Sequence, residues 1–341
     1  VNRSDWTHHP YEIALVGYQN SGKTTLAAKL VPLLGLELAY LKRDARRFDM
    51  DKPGKDTHTL ADAGAAVVAI SDPAHRAAIG RGLANPVLGR LDFLEQDALL
   101  LEGHKPCPVP TILVLDQELA IAADPAFRAQ TPLAVAGPWA SPPPLPWPVP
   151  YFCRDDTPAV AEFIRAFWDG LTAQIPLLGL VLTGAGVPPG GGGAQRVFGL
   201  LEEFCSQVFV SCPDDLAGLA DRSGLPQIRD TLLGRGPLSG ILSAFEARPD
   251  AAWLVAACDL PRLDQGAVTA LAAGRNPLKF ATAFRGADGL PEPLCALYEP
   301  KAGPRLWQFV AAGCFSPRKA LIHSPVELLD HREEGTHDFG S

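Results

Sequence analysis

Residues 17–24 read Gly17-Tyr-Gln-Asn20-Ser21-Gly22-Lys23-Thr24, directly after the apolar run Ile13–Val16 and before a stretch rich in Ala and Leu. The spacing G-x-x-x-x-G-K-[ST] between a strand and a helix is the pattern of a phosphate-binding loop. Its glycines let successive backbone N–H groups wrap around phosphate oxygens, with Asn20, Ser21 and Thr25 contributing further polar groups. Lys23 would reach the β- and γ-phosphates, and the Thr24 hydroxyl would sit on Mg²⁺. A carboxylate should face this loop from a neighbouring strand. Glu102, at the end of "DALLLE", is placed to hold the metal's water shell, or else is a strand-end carboxylate in solvent. The charged stretch "LKRDARRFDMDKPGKDTH" (41–58) is either a solvated run or a loop facing nucleotide or metal.

A second set of residues lies in the other half of the chain. "GLVLTGAG" puts Leu182, Thr183 and Gly184 after an apolar run, where the backbone can approach a nucleotide. Asp230 precedes Gly236-Pro237-Leu-Ser-Gly240, a turn that opens a helix. "WLVAACD" ends a buried strand in Asp259. Ligands bind at the carboxyl ends of strands in such sheets, so Asp259 suits metal-assisted nucleotidyl transfer. Alone it could equally cap the helix that follows.

These residues need an α/β scaffold. "EIALVGY", "ELAYLKR", "AAVVAIS", "DALLLEG", "TILVLD" and "PLAVAG" read as strands, several of them apolar throughout, as parallel strands covered on both faces are. "GPWASPPPLPWPVP" (137–150) excludes helix and central strand, and "DDTPAVAEFIRAFWDGL" reads as a capped helix. The pattern restarts at "TAQIPLLGLVLTG": a glycine loop, a helix over 194–204, a strand over Gln207–Cys212, a further helix, and "AAWLVAACDLP" as a central strand. "KFATAF" and "PLCALYE" then pair, and "GPRLWQFVAAG" forms a helix. The expected fold is α/β in two domains, residues 1–172 and 173–341, with 47% hydrophobic and 20% charged residues. A net charge of −8 argues against a nucleic-acid partner. No apolar run reaches the roughly 18 residues of a membrane span. The start shows no secretory signal, and the seven scattered cysteines show neither zinc nor disulfide spacing, so the expected compartment is the cytoplasm.

"GYQNSGKTTL", "LKRDARRFDMDKPGKDTHTLADAGA" and "LLLEGHK" together resemble the molybdopterin-guanine dinucleotide biosynthesis adaptor family, over about residues 11–170. The run from Asp49 to Asp56 is more diagnostic than the phosphate loop. The resemblance implies a P-loop NTPase fold that binds GTP, with slow or regulatory hydrolysis. It also implies a homodimer through this domain, and molybdenum-insertion proteins and molybdoenzyme chaperones as partners.

"LVLTG" (180–184), "GLPQIRDTLLGRGPLSGI" (224–241), "AACDLPRL" (256–263) and "PEPLCALYEP" (291–300) resemble the molybdenum cofactor guanylyltransferase family, over roughly 176–330. That resemblance implies a Rossmann-like nucleotidyltransferase fold that joins GMP from GTP to molybdopterin and releases pyrophosphate. Asp259 would carry Mg²⁺, Asp230 and the 236–240 turn would border the guanosine, and Pro291–Pro293 would lie toward the pterin. Two departures stand out. The family's first loop continues L-x-G-G-x-S-x-R-M-G-x-D-K, whereas this chain has "LTGAGVPPGGGGAQ", without the Arg and Lys. The family's N-T-P-[ED] segment is also absent after "SPVELLDHREEG". Either the Gly184–Ala194 loop is incomplete as written and the chain is a bifunctional enzyme, or it is an adaptor with a degenerate transferase half.

Overall fold

The structure is a computed structural model that describes residues 11–42, 55–73, 75–80, 88–103, 109–184, 193–212, 224–232, 234–260 and 263–330. Most of the charged stretch 41–58, the glycine-rich loop 185–192 and the tail after Asp330 lie outside the described residues.

β1 (Glu12–Val16) is an apolar run without alternation, and all five of its residues are buried. It is followed by α1 (Lys23–Leu34), β2 (Leu38–Lys42), α2 (Asp56–Asp62), β3 (Val67–Ser71) and β4 (Arg76–Gly80). A 3₁₀ turn at Leu88–Phe93 leads into β5 (Ala98–Glu102) and β6 (Thr111–Val114). Two one-turn helices, α3 (Ala120–Ala123) and α4 (Pro125–Arg128), precede β7 (Ala134–Gly137), β8 (Tyr151–Cys153) and α5 (Thr157–Thr172). Six strands form a parallel sheet in the order β2-β5-β1-β6-β7-β8. The Pro-rich segment carries no helix or strand between Gly137 and β8, since proline supplies no N–H to a ladder. Asp156 caps α5 by accepting from the Ala159 N–H.

One expected strand behaves differently. "AAVVAIS" supplies β3, but β3 pairs antiparallel with β4 in a separate hairpin instead of joining the sheet. Val67 and Ile70 are 62% and 63% exposed there, so an apolar run alone does not show which sheet a strand joins.

The second half builds β9 (Leu177–Leu182), α6 (Gly193–Glu202), β10 (Gln207–Cys212), β11 (Gln227–Arg229), α7 (Pro237–Ala247), β12 (Ala252–Ala257) and α8 (Gln265–Ala273). It ends with β13 (Ala281–Arg285), β14 (Pro291–Tyr298), α9 (Ala302–Ala311), α10 (Pro317–Ile322) and β15 (Val326–Leu329). The sheet order is β11-β10-β9-β12-β14-β13-β15. Its first four strands are mutually parallel, in the 3-2-1-4 arrangement of a nucleotide-binding half-fold. β14 runs antiparallel to both β12 and β13. All six residues of β12 are buried, as the central-strand reading requires.

The halves are fastened by residues of the first that pack on the second. Leu94 is buried within the hydrophobic cluster of the second sheet. Buried Asp97 accepts from Lys279 Nζ at 2.8 Å and from the Glu37 N–H at 3.1 Å. Lys301, only 2% exposed, donates to the Gln96 carbonyl at 3.1 Å and lies over the Phe280 ring. Arg305 pairs with Glu95. Among the described residues, no helix is long and apolar enough to cross a membrane. The six described cysteines are not in disulfides; Cys212, Cys258 and Cys295 are buried, whereas Cys153, Cys205 and Cys314 are partly exposed.

Candidate functional sites

The first site forms where β1 ends between β5 and β6, at the carboxyl edge of the parallel sheet. Gly17 is buried, and Gly22 takes φ 91°, a conformation that favours glycine, immediately before α1. Lys23 Nζ donates to the Tyr18 carbonyl at 2.6 Å and to Ser21 Oγ at 3.3 Å, so the ammonium is folded over the loop it serves. Asn20 (φ 64°) and the hydroxyl-bearing Thr24 and Thr25 are exposed at the mouth. Tyr18 anchors the loop through a hydrogen bond to Asp124.

Glu102 is 5% exposed, which rules out the solvated strand-end reading. Thr24 Oγ1 donates to its carboxylate at 2.9 Å, Tyr40 also donates to it, and Lys42 Nζ stands at 3.4 Å. Burial alone would raise the Glu102 pKa. The hydrogen bonds from Tyr40 and Thr24, together with the Lys42 ammonium, outweigh it and hold the carboxyl below its ordinary value. A carboxylate anion beside a threonine hydroxyl is a hard-oxygen pair that suits Mg²⁺. Lys42 lies in the charged stretch 41–58, one reading of which is a nucleotide- or metal-facing loop, whereas Tyr40 of β2 was not singled out in the sequence. The register Lys42↔Glu102 is what places them here, and no local motif announces it.

The second site is a cleft of about 260 Å³ at the carboxyl ends of β9, β10 and β12. It is lined by Leu182, Thr183, Gly184, Asp230, Gly236, Pro237, Gly240 and Asp259, which come together from three separate stretches of sequence. Ser211 joins them: its Oγ donates to Asp230 Oδ1 at 2.7 Å, while its carbonyl accepts from Thr183 Oγ1 at 2.6 Å. α7 packs so closely that a Cβ on Gly240 would lie 2.1 Å from Ser211 Oγ and 2.8 Å from Leu182. Glycine at this position is therefore a packing requirement.

Asp259 is exposed at the cleft. It does not cap the following helix. Asp264 does, by accepting from the Ala267 N–H at 2.9 Å. Arg196 of α6, also not anticipated, donates to the carbonyls of Leu260 and Leu263 at 2.7 Å each, bracing the segment that leaves Asp259. Pro291 and Pro293 are buried in β14, and the neighbouring Leu294 reaches the cleft wall. Among the described residues, no three His, Cys, Asp or Glu side chains gather as a metal site. A metal here would take one or two carboxylates and draw its other ligands from substrate phosphates, as Mg²⁺ commonly does.

Comparison with known proteins accounts for both halves. Residues 12–137 match the family model described as molybdopterin guanine dinucleotide synthesis protein B. Residues 191–323 match that of the MobA-like NTP transferase domain. A molybdenum cofactor biosynthesis bifunctional protein of Synechocystis sp. is 35% identical over 174 residues, 46% of this chain and 46% of that one. A molybdopterin-guanine dinucleotide biosynthesis adapter protein of Haemophilus influenzae is 35% identical over 117 residues, 31% of this chain and 64% of its own length. A probable molybdenum cofactor guanylyltransferase of Pelotomaculum thermopropionicum is 42% identical over 67 residues, 20% of this chain and 32% of that one. The matches thus span from 32% to 64% of these relatives' own lengths. The chain joins a MobB domain in its N-terminal half to a MobA-like NTP transferase domain in its C-terminal half.

Proposed function

We propose that the chain makes the guanine dinucleotide form of the molybdenum cofactor. In this reading the second cleft transfers GMP from GTP to molybdopterin and releases pyrophosphate. The observation that carries it is the convergence of Asp259, Asp230 and the Gly236–Gly240 turn on one cleft at the strand ends of a MobA-like NTP transferase domain. Asp259 would hold Mg²⁺, whose charge offsets that developing on the α-phosphate and the departing pyrophosphate. Asp230, fixed by Ser211, borders the guanosine, and the N-terminus of α7 faces the cleft through Gly236 and Pro237. Arg196 holds the Leu260–Leu263 segment so that Asp259 keeps its place.

The first domain, which we take as residues 1–172, would bind GTP as an adaptor. Lys23 leaves its contacts on Tyr18 and Ser21 for the β/γ-phosphates, and Thr24 with Glu102 offers oxygen to a second Mg²⁺. The exposed Val67 and Ile70 of the β3–β4 hairpin, with nearby Leu60, suit a second copy of the chain, so a homodimer through this domain belongs to the proposal. Molybdenum-insertion proteins and molybdoenzyme chaperones are the partners expected of an adaptor, in a cytoplasm that keeps the thiols reduced.

The substrate assignment is tested by pyrophosphate release from the full chain supplied with molybdopterin, Mg²⁺ and either nucleotide. GTP should support release, and a tenfold excess of ATP should barely compete. Equal use of ATP and GTP would reject the guanine assignment.

A further inference from the structure

A second cation reaches the phosphate loop from far away in sequence. Arg154 Nη1 donates to the carbonyl of Ser21, 133 residues earlier, at 2.7 Å. Its side chain lies beside Gly22: a Cβ built there would stand 3.2 Å from Nη1 and 3.5 Å from Cζ. Any side chain at position 22 would therefore meet the arginine, quite apart from the positive φ.

The fold aims this side chain. β8 is the edge strand of the first sheet, and the register Gly137↔Cys153 puts residue 154 just past its carboxyl end, the edge that carries the phosphate loop. The Arg154 N–H donates to the Gly137 carbonyl at 2.8 Å. The next two residues are also held, Asp155 by Lys29 of α1 at 3.6 Å and Asp156 as the cap of α5. A guanidinium has five N–H donors in one plane, and a neutral carbonyl uses one of them without compensating the charge. Among the described residues, no carboxylate stands within ion-pairing distance of Arg154.

Accepting that the first domain binds a nucleotide, we propose that Arg154 is a phosphate-binding residue of that site, closing on the nucleotide's phosphates beside Gly22. It would act with Lys23 from the opposite end of the chain segment, so that the β8–α5 loop forms one wall of the site. The ligand class is a nucleoside di- or triphosphate, recognised through its phosphates.

The test is calorimetric titration of the full chain with Mg·GTP, comparing wild type with Lys23→Ala, Arg154→Gln and Arg154→Lys, beside thermal melts. The isotherm component that Lys23→Ala removes identifies the first site. Gln keeps a donor for the Ser21 carbonyl but loses the charge, whereas Lys keeps the charge. The expected result is a loss of at least about tenfold in that component for Gln, as for removal of one partner from a charge-assisted contact, with Lys recovering most of it. Affinity unchanged in Arg154→Gln, or lost equally in Gln and Lys, would overturn the proposal and leave the arginine as a brace. A wild-type chain with no component sensitive to Lys23→Ala would instead overturn the nucleotide reading of the first domain.

Discussion

Asp259 and Asp264 are five residues apart and chemically identical, yet the fold gives them different work. Asp264 satisfies the first turn of α8, while Asp259 stands exposed in a cleft with nothing structural to cap. Asp264→Ala should therefore cost about 1 kcal/mol of stability, the usual loss for a helix cap, and leave GMP transfer near wild type at a temperature well below the melt. A transfer defect larger than the stability loss explains would show that the two carboxylates share a role. The residues that were legible in the sequence are those whose chemistry is local. The phosphate loop and the Gly236–Gly240 turn are contiguous, and Asp259 ends an apolar run. Arg154, Arg196, Tyr40 and Ser211 were not legible, because each acts through a contact between residues far apart in sequence and spacing along the chain carries no trace of it.

Elements hold these side chains through tight packing and through the seam between the halves. Adding one methyl at Gly240 would force α7 away from Ser211 and Leu182. Overpacking of this kind costs roughly 1–3 kcal/mol, so Gly240→Ala should lower the melting temperature and raise the KM for GTP together. A melt and a KM both unchanged would mean that α7 can shift without disturbing the cleft. The seam offers a pH test. Burial, opposed by Asp97, lowers the pKa of Lys301 from 10.5 to about 8. The folded chain gives up this proton before the unfolded chain does, so the cost of burying the charge is complete below pH 8 and is relieved as pH rises toward 10.5. Between pH 8 and 9 the gain should be about 1 kcal/mol in denaturant unfolding, and Lys301→Met should abolish it. A flat profile in the wild type would contradict the burial argument. Elements were read best where length and hydrophobicity agreed, as in β1, β5, β9 and β12. They were read worst where a strand is three residues long, as in β8 and β11, or where pairing partners decide the sheet, as in β3.

At the scale of the whole molecule, the two candidate sites sit on two sheets with separate hydrophobic clusters, joined where Leu94, Asp97 and their neighbours pack on the second half. Leu94 lies before Thr172 in sequence but is buried with the second sheet, so a boundary drawn at 172 cuts through packing. Under the proposed function, a tether of this kind would keep an adaptor's ligand near the transferase at high effective concentration. The central claim is that the second cleft performs metal-assisted GMP transfer although its glycine-rich loop lacks the family's Arg and Lys. The most direct measurement is GMP transfer to molybdopterin by the full-length Asp259→Asn variant across a Mg²⁺ titration, beside a thermal melt. Asn keeps the shape of the side chain and removes its charge. The account predicts a loss of roughly 100-fold or more, the size seen when one electrostatic group is removed from a transition state, at an unchanged melting temperature. Wild-type transfer in this variant, with the same Mg²⁺ dependence, would contradict it.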